Sequence, residues 1–278
     1  MFREDIHLGI MPHKSAGDVN DYSVELKGGK EQQQHCISVV QALCRYTHHH
    51  STEERLTDAI EHIVMTLLER GYVYYELDVG EDGKMAAYWF NPQYVFRFFR
   101  YYVQFIPLRE CRRVKKVFAF IHAKKVWKVS IPKELGRASG YRRLIKRLRS
   151  IDSLGPSFTR ANIINATSQF HYDPLEYRKN ETRLITRLAR KWGWNRRDYS
   201  NNSTTEFYWV YKAVKMQKSR VVLRTHIFNE INKLLKQLKI NATIIVHGIP
   251  DEAELRQALD DFESGKYTID DMSKYIGS

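Results

Sequence analysis

The sequence predicts an α+β fold: a helix with an antiparallel β unit first, then a mainly helical half containing one very long helix. Three observations predict it. Apolar residues recur at helical spacing over 51–70 and end on Gly71. Two runs rich in Tyr and Val then flank a Gly-Glu-Asp-Gly turn. After Gly140 the period becomes helical almost throughout.

Residues 1–34 hold four glycines and a Gln32-Gln33-Gln34 run with no sustained period, and are expected to form an extended N-terminal arm. Ser51 with Glu54 forms a capping box, and Leu56, Ile60, Ile63 and Leu67 make the buried stripe of the helix it opens. Tyr72–Val79 and Met85–Phe90 read as a hairpin ended by Asn91-Pro92. Further strands are expected at 94–106, 117–121 and 126–131. A basic helix over 141–151 turns Leu144, Ile145, Leu148 and Ile151 inward, and a second runs from about Pro174 to Trp192, closed by Gly193. The longest element runs from Glu206 to Leu238, with a break expected near Gln217; at about 1.5 Å per residue it spans roughly 50 Å. A short strand at 240–246 and an acidic helix capped by Asp251 follow, then a last turn capped by Thr268. The organisation is thus an arm, 1–34, an α+β domain, 35–135, and a helical region, 136–278.

Composition limits the function. Hydrophobic residues make up 43% and charged residues 28%, ordinary globular usage that argues against disorder. Residues 251–278 hold eight acids and three bases, so the +13 of the whole chain leaves +18 on the rest. A basic body with an acidic end points to a polyanionic partner, DNA above all. Three cysteines, Cys36, Cys44 and Cys111, fit a reducing compartment. No apolar signal segment opens the sequence and no run reaches the ~18 apolar residues of a membrane span, so no membrane partner is expected.

The motifs do not advertise an enzyme. Asp82 and Lys84, downstream of Glu76 and Asp78, have the residue types of a metal-dependent nuclease, but sit where a turn needs them anyway. Cys36, Cys44 and His48, His49 and His50 offer zinc ligands without a knuckle spacing; buried thiols and a surface His turn are the expectation. His171 and Asp173 have no nucleophile nearby in sequence. No phosphate loop or dinucleotide fingerprint is present, and no cofactor is expected. What remains is cationic helix surface. Arg142, Arg143, Lys146 and Arg149, then Arg183, Arg187 and Arg190, then Lys212, Lys215 and Lys218 are the expected nucleic-acid contacts, through phosphates and not base edges.

The order of features over Thr52–Val95, TEERLTDAIEHIVMTLLERGYVYYELDVGEDGKMAAYWFNPQYV, resembles the wing region of tailed-bacteriophage portal (head-tail connector) proteins. A helix ending in Gly, a Tyr-rich strand ending in acids, a Gly turn, a return strand and a Pro-containing segment follow one another. Residues 207–272 are similar in order to the family's long helix, short strand and final acidic helix, with Gly265-Lys-Tyr-Thr268 at its end. The two stretches cover about half the chain, and no separate clip domain is evident unless 150–205 serves as one. The resemblance implies a non-enzymatic homo-oligomeric ring in the virion through which double-stranded DNA passes, with capsid, terminase and tail-adaptor proteins docking on it. An overlong helix also asks for neighbours, and Trp209, Ile227, Phe228 and Ile231 are the expected oligomer contacts. The alternative is a monomeric or low-oligomer basic nucleic-acid-binding or replication-associated protein of the host-cell cytoplasm.

Overall fold

The computed structural model describes residues 1–12, 22–79, 85–90, 94–106, 116–153, 174–195 and 205–276. Their class is mixed α and β with antiparallel sheets. In chain order the elements are α1 (Phe2–His7), β1 (Ser23–Lys27), α2 (Lys30–Leu43), α3 (Thr52–Arg70), β2 (Tyr72–Val79), β3 (Met85–Phe90), β4 (Val95–Phe98), β5 (Tyr101–Phe105), β6 (Phe118–His122), β7 (Val126–Ser130), α4 (Arg137–Ser153), α5 (Pro174–Leu188), α6 (Glu206–Gln237), β8 (Thr243–His247), α7 (Glu252–Glu263) and α8 (Ile269–Ser273). The chain divides into two compact units. Among the described residues, no helix is long and apolar enough to cross a membrane.

One unit comprises His7–Ile131 and Leu223–Ile249. Its α3 is the expected helix: Ser51 accepts the Glu54 N–H at 3.1 Å, and Gly71, at φ +86°, donates its own N–H to Leu67 O at 2.7 Å. Leu56, Ile60, Ile63 and Leu67 are buried as the 3.6 period requires, facing Cys36, Val39, Val40 and Leu43 of α2 and the strand β2. Three sheets follow, in the orders β3-β2-β7, β4-β5-β6 and β1-β8.

Two expectations fail here, both for want of a local signal. The run 94–106 is two strands, β4 and β5, reversing at Phe99 and Arg100. Phe99 takes φ +48°, a turn conformation that a sequence normally announces with glycine. The described residues of the segment 1–34 form no extended arm either. It holds α1, β1 and the first turn of α2, and it buries Phe2, Ile6, Ile10 and Met11. Strand β1 pairs with β8, Ser23 opposite His247 and Lys27 opposite Thr243, a long-range pairing that propensity cannot announce.

The other unit comprises Met1–Ile6, Pro132–Val222 and Pro250–Ser278. The first half of α6 lays Val210, Val214 and Val221 against Leu255, Leu259 and Phe262 of α7 and against Met272 and Tyr275. Phe2 stands edge-on to Trp192 and Trp194, at 5.4 and 5.2 Å between ring centroids. Gly193 turns the chain between those indoles at φ +68°, and a Cβ there would meet the backbone of Lys215 and Met216. Helix α6 passes Gln217 without the expected break. Gln217 is buried, and its side-chain oxygen accepts from Arg220 Nη1 at 2.9 Å, so the polar residue is satisfied within an unbroken helix.

Candidate nucleic-acid interface

Arg183, Arg187 and Arg190 recur at i, i+4 and i+7, so α5 and the turn after it present them along one stripe. Tyr208, Tyr211, Lys212 and Lys215 do the same on α6. The two stripes, with Thr186, line one open groove of about 480 Å³. Five cations and two phenol rings thus share a concave surface within one unit.

The three arginines are exposed, but the lysines are not free-swinging. Lys215 Nζ donates to the Tyr211 hydroxyl at 3.1 Å and lies 5.1 Å from that ring's centroid. Lys212 is 5% exposed, with Nζ 5.3 Å from the Tyr208 ring. Burial holds its pKa below the ordinary lysine value, and Lys215 and Arg190 push it further down. The Tyr211 hydroxyl is pushed up to about 12, first by burial and then by its hydrogen bond to Glu263. Five like charges on one groove, with Glu263 and Asp260 the acids near Tyr211, raise the free energy of the empty site, and an anion in the groove relieves it.

The sequence therefore singled out five of the residues that line this groove and missed both tyrosines, whose spacing alone signals them. It also singled out residues that lie elsewhere. Lys218 is half-buried further along α6 and is not among the lining residues. Arg142, Arg143, Lys146 and Arg149 lie on α4, exposed along the face opposite buried Tyr141, Leu144 and Leu148. Arg143, Lys146 and Arg149 make no ion pair with another described residue.

Two of the four expected oligomer contacts need correction. Ile227 and Ile231 are 0% exposed, so α6 is covered by its own chain and offers neither to a neighbour. Trp209 packs on the α7–α8 cluster, and Phe228 is half-buried. The reason is that α6 serves both units in turn, one along each half, and its length is spent inside the chain.

Exposed apolar surface is found instead on the β4-β5-β6 sheet. The register sets Phe96, Phe98, Tyr101, Phe105, Phe118 and Phe120 on one face, with Val103 beneath them. All six rings are at least 41% exposed, and Phe120 reaches 66%. The other face buries Tyr102 and Ile121 against Tyr74 and Phe90.

Of the other motifs, Asp82, Lys84, Cys111, His171 and Asp173 lie outside the described residues. Asp78 is ion-paired with Lys125 at 3.2 Å. Cys36 is buried, and His48 and His50 are exposed, but His49 departs from the expected surface turn: its side chain is 9% exposed and 3.1 Å from Asp58. Compared with family models and with curated proteins, the sequence finds no match.

Proposed function

We propose that this chain is a structural, DNA-contacting subunit of a closed homo-oligomer of portal type, working in a virion. The observation that carries the reading is the aromatic face of the β4-β5-β6 sheet. Six Phe and Tyr rings on one side of a sheet, each at least 41% exposed, form the kind of exposed apolar face that marks an interaction surface. A second copy covering that face with a different part of its surface makes a heterologous contact, and such contacts give a ring where the rotation between copies closes.

The groove between α5 and α6 supports the DNA half of the reading. Its five cations supply the charge that phosphates attract, independent of base sequence, as passage of arbitrary DNA requires. Docking of capsid, terminase and tail-adaptor proteins belongs to the same proposal through the family resemblance alone.

The same aromatic face favours one second reading. Exposed Phe and Tyr on a sheet also stack the bases of single-stranded nucleic acid, which is what a non-assembling replication protein would use. The mass of the purified protein by light scattering, with a negative-stain image, separates the two. A closed ring of many copies is expected. A monomer, both free and in its native complex, that binds single strands through the aromatic face overturns the portal reading.

A further inference from the structure

The geometry points to a transition-metal site, best suited to Zn²⁺, formed by Cys44 Sγ, His49 Nε2 and Asp58 Oδ2. It lies within the unit that holds α2 and α3 and is independent of any DNA or assembly role. Cys44 caps the C-terminus of α2, His49 comes from the connecting loop, and Asp58 projects from the second turn of α3. The three ligand atoms all lie within 4.8 Å of one another. With Zn–S near 2.3 Å and Zn–N or Zn–O near 2.0–2.2 Å, tetrahedral coordination asks for ligand separations of about 3.3–3.8 Å. His49 Nε2 and Asp58 Oδ2 are already 3.1 Å apart; the thiol has to turn away from the Val40 and Arg55 carbonyls it now faces, and Nε2 has to give up the Tyr46 carbonyl, 3.0 Å away.

The donor set is a thiol, an imidazole and a carboxylate, from three separate elements, converging on one point. Zn²⁺ with a thiolate and a carboxylate is a neutral centre, suited to a place where the His49 and Asp58 side chains are only 9% and 12% exposed. The loop is held ready. Arg55 donates to Gln41 Oε1 at 3.0 Å and to the His49 carbonyl at 3.4 Å, and Asp58 accepts the Tyr46 N–H at 2.9 Å.

Two observations support metal over the alternatives. A Cys-His-Asp set also suggests a nucleophile with its base. In such a relay, however, the acid and the thiol take opposite ring nitrogens and nothing else holds the ring; here Nε2 faces both Asp58 Oδ2, at 3.1 Å, and the Tyr46 carbonyl, at 3.0 Å. Independently, the Tyr75 hydroxyl is buried with no hydrogen-bond partner among the described residues, in a residue only 1% exposed and close enough to Cys44 to feel its charge. An orphaned phenol near Cys44 supplies a partner for a fourth ligand, a metal-bound water.

Binding releases the Cys44 proton and takes the His49 tautomer with a bare Nε2, so the site ties α2, the loop and α3 together without any redox step. The test uses the whole chain, stripped with a chelator and then titrated with Zn²⁺ or Co²⁺. One equivalent should bind. Co²⁺ should show a thiolate charge-transfer band, and Zn²⁺ should raise the melting temperature. Cys44→Ser should abolish the band, His49→Gln and Asp58→Asn should each weaken binding at least 100-fold, and an exposed control, His48→Ala with His50→Ala, should leave it unchanged. If a variant fails to fold, the wild-type cobalt spectrum and zinc-dependent melting still decide. Wild type with no thiolate band and no zinc-induced melting shift, or binding lost with His48 and His50 instead, overturns the site.

Discussion

The Trp194 indole N–H donates to Asp5 Oδ2 at 2.7 Å, joining positions 189 residues apart in sequence. Asp5 is 4% exposed, and its backbone carbonyl accepts from Arg220 Nη2 at 2.6 Å. One short helix at the beginning of the chain thus anchors an indole and the long helix α6 within the same unit. A carboxylate so deeply placed requires a donor such as this indole N–H, because a buried charge left without one costs several kcal/mol.

Asp5→Ala leaves the indole N–H without its acceptor. It should destabilise by about 2–3 kcal/mol, and Trp194→Phe by a comparable amount through loss of the same bond and of packing. In urea unfolding, the double variant should cost clearly less than the sum of the two single variants. Simple additivity would mean the two residues do not act on one another.

Gly193→Ala should destabilise by about 1–3 kcal/mol, because it combines a left-handed backbone with a Cβ pressed on Lys215 and Met216. Gly265→Ala is the control. Its φ of +76° carries the same backbone strain, but nothing lies within 4 Å of the added Cβ, so its loss should be the smaller of the two.

Arg187→Glu with Lys215→Glu should weaken duplex DNA binding and reduce the slope of log affinity against log salt by about one for each phosphate left without its cation. Arg143→Glu with Lys146→Glu, outside the groove, tests whether α4 also binds phosphate: a changed slope with assembly intact assigns it that role. Disrupted assembly, partly restored by reversing Asp260 and Asp261 to Lys, assigns it to the acidic segment. No change in either makes it a solvated face. Binding through the groove should also weaken as pH rises. Lys212 has a lowered pKa, so it gives up its charge, and its hold on one phosphate, at a lower pH than an ordinary lysine does. Lys212→Arg should remove that dependence.

Phe98→Asp with Phe120→Asp should abolish assembly while leaving the melting temperature within a few degrees, since both rings are more than half exposed in the single chain. Sedimentation velocity reads the first and circular dichroism the second. Retained assembly with lost single-strand binding would move the aromatic face to the stacking role.

Much of the fold was legible in the residues. Ser51, Gly71, Asp251 and Thr268 cap or stop helices where they are expected to, because capping depends on atoms within three or four residues. The hairpin β2–β3 and the extent of α6, though not its continuity through Gln217, follow from periodicity, and the stripe Arg183, Arg187 and Arg190 follows from helical spacing. What the sequence could not determine were relations across distance. The pairing of β1 with β8, the burial of Phe2 between Trp192 and Trp194, and the meeting of α5 with α6 in one groove all depend on which surfaces find each other. Ile227 and Phe120 illustrate the same limit. Both are large apolar residues in strongly patterned elements, yet the first is sealed inside its own chain and the second is left in solvent. Spacing sets which face of an element is apolar; only tertiary packing decides whether that face is covered, because burial depends on the neighbour and not on the element itself.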